Sequence, residues 1–344
     1  MYIENIEITG IRNFKDKKEC NFIDGRNLIS GLNGSGKTSV LESIYLLGYG
    51  KSFLNVKKDE ILNENSSEFF SKAKINSDIG ISEISYHYNK DFSMFVNEEK
   101  IKVTDVVNYF FPVYFSSSNY TLYIENISYT RKMINRFIYG IDSIYTDSLL
   151  KYGKILKQKK FLLKNRGDYS QLKSWNILMS KKMFEIIKKR DMFIKELNKR
   201  IENEKKQKGL KIRYSSSVDF GQETFSSELI YNKLESVKRR EMELGRVLIG
   251  THLDKIDFVL NDRPLKYFSS GEKKLNLIII YLAYFDIFKK IRNEYPLFLI
   301  DDFDVAMDSK NIEFLSEKYP SMQIIATSVN ESNTFENLID IRKN

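Results

Sequence analysis

The sequence predicts an α/β protein: a mixed sheet around a glycine-rich strand-to-helix turn, with a compact helical lobe set into the chain. Three observations predict it. The short apolar runs "NLIS", "LFLI" and "QIIAT" have the length and composition of strands buried on both faces. One charged tract with helical periodicity occupies residues 127–207 and divides the strand-rich ends of the chain. Between the first apolar run and a helix stands "GLNGSGKTS", residues 31–39, too bare to be an ordinary turn.

Taken in order, "MYIENIEITGIRNF" alternates as a strand does. "NLIS" is a buried strand ending at Ser30. In "TSVLESIYLLGYG", Val40, Leu41, Ile44 and Leu47 recur at helical spacing, and Gly48 and Gly50 supply a stop. Residues 68–104 read as an antiparallel meander with the polar turn "NEEK" at 97–100. The helical tract turns back near Gly167 and Asp168. Two arms of ~40 residues span at most ~60 Å, which excludes a long coiled-coil rod. Trp175 and its apolar neighbours form the stripe of these helices. Strands return at "LKIRYSSSV" and "DKIDFVLN". The corner "SSGE" opens a helix that is apolar almost all round, and Leu297–Ile300 form an apolar strand ending in Asp301 and Asp302. A last strand, "QIIATS", ends in Thr327 and Ser328. The expected division is residues 1–126 for the first part of a head, 127–210 for the helical lobe and 211–344 for the rest of the head.

Composition narrows the chemistry. A chain of 344 residues with 42% hydrophobic content can bury a sizeable core. A single cysteine, Cys20, builds no disulfide framework and suits a reducing cytoplasm, and with two histidines, His87 and His252, it makes a zinc centre or a Cys/His nucleophile improbable. The apolar stretch 275–285 is too short to cross a membrane, and no membrane association is expected. A net charge of +9 suits a polyanionic partner, although a Lys-, Asn- and Ile-rich chain carries such a charge anyway.

The glycine-rich loop is an anion trap. Glycines let backbone N–H groups converge, and the positive end of the following helix favours phosphate. Gly31, Asn33, Gly34, Ser35, Gly36, Lys37, Thr38 and Ser39 fit GxxxxGK[ST] and its flanks, so a nucleoside triphosphate is the expected ligand. Lys37 would bridge the β- and γ-phosphates, and Thr38 would place its hydroxyl on Mg²⁺. Parallel strands bind ligands at their carboxyl ends, which puts Asp301 on the same metal and Asp302 on the attacking water. In the corner 269–272, Ser269, Ser270, Gly271 and Glu272 stand at a helix N-terminus about 30 residues before the acidic strand. That is the arrangement of an ABC-type ATPase head, in which a serine–glycine turn caps the γ-phosphate held by a second subunit. ATP would then join a dimer.

These segments together resemble the RecF family of DNA replication and repair ATPases, relatives of the SMC proteins. The resemblance rests on "IRNF", "NFIDGRNLISGLNGSGKTSVLESIYLLGYGKSF", "KQKKFLLK", "LKSWNILM", "REMELGRVLIGTHLDKIDF" and "IDDFDVAMD", and covers nearly the whole chain. It implies an ABC/SMC-type head with a helical lobe, ATP and Mg²⁺ as cofactors, and an ATP-dependent homodimer with weak, slow, DNA-dependent ATP hydrolysis. It also implies binding to duplex or gapped DNA, mediator partners of the RecR and RecO type that help load recombinase, and a cytoplasmic, nucleoid-associated protein. Asp308 falls where the family's D-loop aspartate stands. The chain departs from the family at "FSSSNY" (115–120), which lacks the usual proline and acid. It departs again at Thr130–Arg131, where two arginines are usual, at "GTHLD" (250–254), which lacks a proline and an arginine, and at Ala306–Met307. One alternative is the ATPase subunit of a DNA-defence nuclease system, whose head has similar motifs; the stretch after Asp308 is too short for an appended nuclease domain, so the nuclease would be a separately encoded partner. A scaffold merely stabilised by ATP is the other alternative.

Overall fold

A computed structural model describes residues 1–54, 56–117, 119–165, 169–203, 208–221, 223–306, 314–315 and 317–341. The strands begin with β1 (Tyr2–Thr9), β2 (Lys18–Asn21), β3 (Arg26–Ser30), β4 (Phe69–Ser77), β5 (Gly80–Asn89), β6 (Asp91–Val96), β7 (Glu99–Ile101) and β8 (Pro112–Ser116). They continue as β9 (Leu210–Ser215), β10 (Lys255–Leu260), β11 (Arg263–Pro264), β12 (Leu297–Asp301), β13 (Ile324–Ser328) and β14 (Asn337–Asp340). The helices are α1 (Lys37–Tyr49), α2 (Tyr120–Glu125), α3 (Ile127–Tyr139), α4 (Ser143–Lys164), α5 (Tyr169–Glu202), α6 (Ser227–Leu244), α7 (Ser270–Arg292) and α8 (Phe303–Ala306).

The chain forms two compact units, one of residues 1–120 and 285–344, the other of residues 121–284. In the first unit the expected mixture of strand directions is divided between two sheets. Strands β14-β3-β13-β12-β8 are all parallel, and β2-β1-β4-β5-β6-β7 are all antiparallel. Every residue of β8, β12 and β13 is buried, as parallel strands covered on both faces require. Helix α1 packs against strands of both sheets, so every residue of it but Thr38 is buried. That explains a helix apolar well beyond one face.

Two local readings change. The strand that opens the chain stops at Thr9, because Gly10 (φ 70°) and Arg12 (φ 49°) turn the backbone out of the extended region. Gly48 lies inside α1 rather than ending it. A side chain there would collide with the ring of Pro112, whereas Gly50, left-handed at φ 60°, caps the helix.

In the second unit α5 packs against α4, α6 and β9, and β9, β10 and β11 form an antiparallel sheet. The caps are local and legible: Asp142 accepts from the Tyr145 N–H, Ser226 from the Leu229 N–H, and Gly245 ends α6. The apolar stripe of α5 includes Met179, Met183, Ile186, Ile194 and Leu197, while Trp175 is half-buried. The boundary expected at residue 210 does not coincide with a change of unit. Residues 211–284 join the helices instead, because β9 and α6 pack against α5, so the "SSGE" corner belongs to this unit and not to the one holding the glycine-rich loop 31–39. The turn at Gly167 and Asp168 lies outside the described residues.

Candidate nucleotide site

The parallel sheet brings its polar strand ends to one edge. Ser328 stands beside Ser30, and Asp301 beside Ser116. The loop after Ser30 needs its glycines: Gly34 has φ 79° and Gly36 φ 100°, conformations that side chains resist. Gly36 is the N-cap of α1 and leaves that helix end without a side-chain cap. Its Cα also lies so close to the ring of Phe14 that a Cβ would be driven into it. Ser35 Oγ is buried with no hydrogen-bond partner, while Asn33 and Gly34 are exposed. Uncapped helical N–H groups, left-handed glycines and an unsatisfied buried hydroxyl suit an anionic ligand.

The Lys37 ammonium is buried and donates to the Gly31 and Leu32 carbonyls at 2.8 and 3.0 Å, folded back along its own loop. Ser39 is buried in the first turn of α1, where its carbonyl accepts from the Ser43 hydroxyl. Thr38 Oγ1 lies 3.2 and 3.3 Å from the two oxygens of Asp301. Asp301 also accepts from Thr327 Oγ1 at 2.7 Å and from the Tyr114 phenol at 3.2 Å. Burial raises the pKa of this carboxyl and nearby Asp302 adds to the rise, while the three hydroxyl donors oppose it. A buried carboxylate beside a threonine hydroxyl is the kind of oxygen donor pair that Mg²⁺ takes together with phosphate oxygens and water. No cluster of three or more His, Cys, Asp or Glu side chains able to hold a metal occurs among the described residues. Asp302 is exposed, with φ 50°, and its N–H donates to Thr327 Oγ1 at 2.9 Å.

Four residues that support the loop carry no role legible in the sequence. The Arg12 guanidinium bonds both oxygens of Glu42, at 2.9 and 3.1 Å, and Glu42 is 1% exposed. Ser52, in "GYGKSF", donates to the same carboxylate. The Asn13 amide donates to the Gly34 carbonyl. The "IRNF" turn therefore grips both the phosphate loop and the helix behind it. The only advance signal was the placement of Gly10, Arg12 and Asn13 after an alternating strand.

The "SSGE" corner is exposed in the second unit. Ser269 and Glu272 form a reciprocal cap at the start of α7: the Ser269 N–H and hydroxyl donate to Glu272 Oε2 at 3.0 and 2.7 Å, and the Glu272 N–H donates back to Ser269 Oγ at 3.3 Å. These bonds to Ser269 lower the pKa of Glu272. Ser270 and Gly271 are exposed, and a Cβ on Gly271 would meet nothing within 4 Å. Asp308 lies outside the described residues.

In the "GTHLD" segment of the same unit Gly250, Thr251 and Asp254 are buried, His252 is half-buried and Leu253 is exposed. Asp254 accepts from Arg190 and from the Tyr214 phenol, each at 2.7 Å, and from the Ser217 N–H at 2.9 Å. Arg131 donates to the Asp254 carbonyl at 2.7 Å, and Arg190 to the Thr251 carbonyl at 2.8 Å. His252 Nδ1 lies 2.7 Å from the Tyr152 phenol. Burial lowers the His252 pKa to about 4, helped by the charges of Lys160, Arg131, Lys159 and Arg190.

The family model described as RecF/RecN/SMC N terminal domain matches residues 2–343. A protein of Acetivibrio thermocellus named DNA replication and repair protein RecF is 30% identical over 353 residues, covering 98% of this chain and 95% of that protein. One of the same name from Leptospira interrogans is 30% identical, covering 88% and 86%. A solved structure of the recombination mediator protein RecF with ATP, in the RecFOR pathway, superposes with a TM-score of 0.88 at 26% identity, covering 96% and 93%. An SMC head bound to the C-terminal winged-helix domain of ScpA shares the fold, with a TM-score of 0.54 at 14% identity.

Proposed function

Because the chain belongs to the RecF family of SMC-related ATPases, we propose that it is an ATP-dependent DNA-binding protein of recombinational repair and replication restart. One observation carries the nucleotide part: Thr38, in the phosphate loop, and Asp301, at the end of β12, lie side by side although they are far apart in sequence. In this reading Gly34, Gly36 and Lys37 hold the triphosphate through N–H groups and one ammonium. Thr38 and Asp301 would hold Mg²⁺, which neutralises charge on the β- and γ-phosphates when bound. Asp302 orients the attacking water and accepts its proton. An aspartate is one methylene shorter than a glutamate and holds that water less closely, which suits slow hydrolysis and a switch rather than rapid turnover.

The exposed corner of Ser269 and Gly271 would meet the nucleotide of a second subunit, so that ATP assembles a homodimer and its hydrolysis releases it. DNA, duplex or gapped, and mediator proteins of the RecR and RecO type are the proposed partners, in a cytoplasmic, nucleoid-associated setting. No helix among the described residues is long and apolar enough to cross a membrane.

The test is nucleotide binding and single-turnover hydrolysis by the full chain, with and without gapped DNA. Lys37→Ala should abolish ATP binding with an unchanged circular dichroism spectrum. Asp302→Asn should bind ATP normally and retain it. Wild-type ATP affinity in Lys37→Ala, or parental hydrolysis in Asp302→Asn, would overturn the reading.

A further inference from the structure

Helix α4 carries an unusual distribution of charge. From Ser148 to Lys164 it contains no aspartate or glutamate, but it contains lysines at 151, 154, 157, 159, 160 and 164. Two are spoken for. Lys159 faces inward and pairs with Glu241 at 2.7 Å, both side chains 0% exposed, and Lys151 pairs with Asp147 at 2.7 Å. Lys154, Lys157, Lys160 and Lys164 are exposed, and none makes an ion pair among the described residues.

Spacing turns three of these four into a line. Gly153, Lys157, Lys160 and Lys164 stand at i, i+4, i+7 and i+11, so they share one face, about 16 Å long at 1.5 Å per residue. Lys154 flanks the line. The buried side chains of Tyr152, Ile155, Lys159 and Leu163, about 125° round the helix, fix α4 in the lobe, so the backbone that carries the row is held in place.

Gly153 stands at the head of the row. It is exposed in the middle of a long helix, where glycine lowers stability relative to alanine. Nothing in the fold calls for it: its φ is not left-handed, and a Cβ would meet no atom within 4 Å. A bare backbone at the head of a lysine row leaves room for a bulky group to approach the helix.

We propose that the Gly153–Lys157–Lys160–Lys164 face of α4 seats the phosphate backbone of duplex DNA. This rests on the DNA-binding reading above and gives it a location. The chemistry favours a duplex over other polyanions. Single-strand sites combine charge with aromatic stacking platforms, and this line contains no aromatic residue. The exposed Phe161 borders the row one turn on from Lys157, but it is the one exposed aromatic of α4 and gives no run of stacking platforms. A membrane-surface helix turns a continuous apolar face outward, whereas here Tyr145, Tyr152, Ile155 and Leu163 are buried and the exposed Ile144, Leu150 and Phe161 are too scattered along α4 to form one. Lysines contacting phosphate position a duplex without reading its sequence.

The experiment uses the full chain with ATP and a labelled duplex oligonucleotide, followed by fluorescence anisotropy across a salt series. Single-stranded DNA and a fluorescent ATP analogue serve as parallel probes. The triple variant Lys157→Gln, Lys160→Gln, Lys164→Gln should bind duplex roughly tenfold or more weakly, with a log–log salt slope shallower by about 0.9 per lysine removed. Its ATP affinity and melting temperature should not change. Gly153→Gln, which fills the gap without altering charge, should also weaken duplex binding while leaving the fold at least as stable. If the wild type binds duplex and the triple variant binds it with the same affinity and slope, this face is not the seat, although the DNA-binding reading stands. Binding of single strands alone would overturn the choice of duplex. A wild-type chain that binds neither form with ATP would overturn both.

Discussion

The Tyr114 phenol donates to Asp301 at 3.2 Å while its ring stacks on Phe53, with centroids 3.7 Å apart and planes 13° apart. The segment "GYGKSF" thus supports the acidic strand end through one ring as well as supporting Glu42 through Ser52. Tyr114→Phe keeps the stack and removes one donor from a buried carboxylate, at a cost of about 1 kcal/mol in stability. Burial already raises the Asp301 pKa, and losing a donor to the charged form raises it further. Mg²⁺-dependent ATP binding should therefore decline on acidification at a higher pH in the variant than in the wild type. Titration with a fluorescent ATP analogue at several pH values measures this, and coincident pH profiles would contradict it.

Arg12→Ala leaves the Glu42 carboxylate buried with the Ser52 hydroxyl as its remaining side-chain donor among the hydrogen bonds described. An abandoned buried charge costs more than the pair contributes. Because Arg12 is itself 25% exposed, the expected loss is about 2–3 kcal/mol by urea denaturation, and Arg12→Ala combined with Glu42→Gln should recover part of it. Equal stability of Arg12→Ala and wild type would show that the "IRNF" turn does not anchor α1.

His252 makes stability depend on pH. Its folded pKa, about 4, lies below its ordinary value of 6.5, because the half-buried imidazole is partly desolvated and faces the charges of Lys160, Arg131, Lys159 and Arg190. The unfolded chain binds the proton more readily between these values, so stability is fully present above 6.5 and falls as pH drops toward 4. His252→Gln should flatten that decline in thermal melts taken through this window. An unchanged decline would assign it to other groups.

The parts of the site legible in the sequence are those fixed by short-range chemistry. The phosphate loop carries its glycines, lysine and hydroxyls within nine residues, and Asp301 stands at the end of an unbroken apolar strand. Ser269 and Glu272 also announced a helix start, and the structure shows them capping each other. What stayed hidden depends on contacts between distant segments. No local pattern tells that Arg12 will meet Glu42, that Phe14 will lie over Gly36, or that Tyr114 will meet Asp301. Gly48 reads locally as a helix stop because its actual constraint, the Pro112 ring, comes from a strand distant in sequence, β8. The grouping of residues 211–284 with the helices was equally hidden, since it depends on α5 packing against α6 and β9.

If ATP joins two subunits through the Ser269 corner, sedimentation velocity of mixed variants will show it. Ser269→Arg puts a bulky side chain at the corner and removes a helix cap worth about 1 kcal/mol, but leaves the chain's own phosphate loop intact. Alone, it should bind ATP yet form no ATP-dependent dimer. Lys37→Ala alone should not bind ATP. Mixed, the two can assemble one undamaged composite site, pairing the phosphate loop of the first with Ser269 of the second, so a partial ATP-dependent dimer peak and partial hydrolysis should return. Full ATP-driven dimerisation by Ser269→Arg alone, or no recovery in the mixture when the wild type dimerises, would contradict the claim.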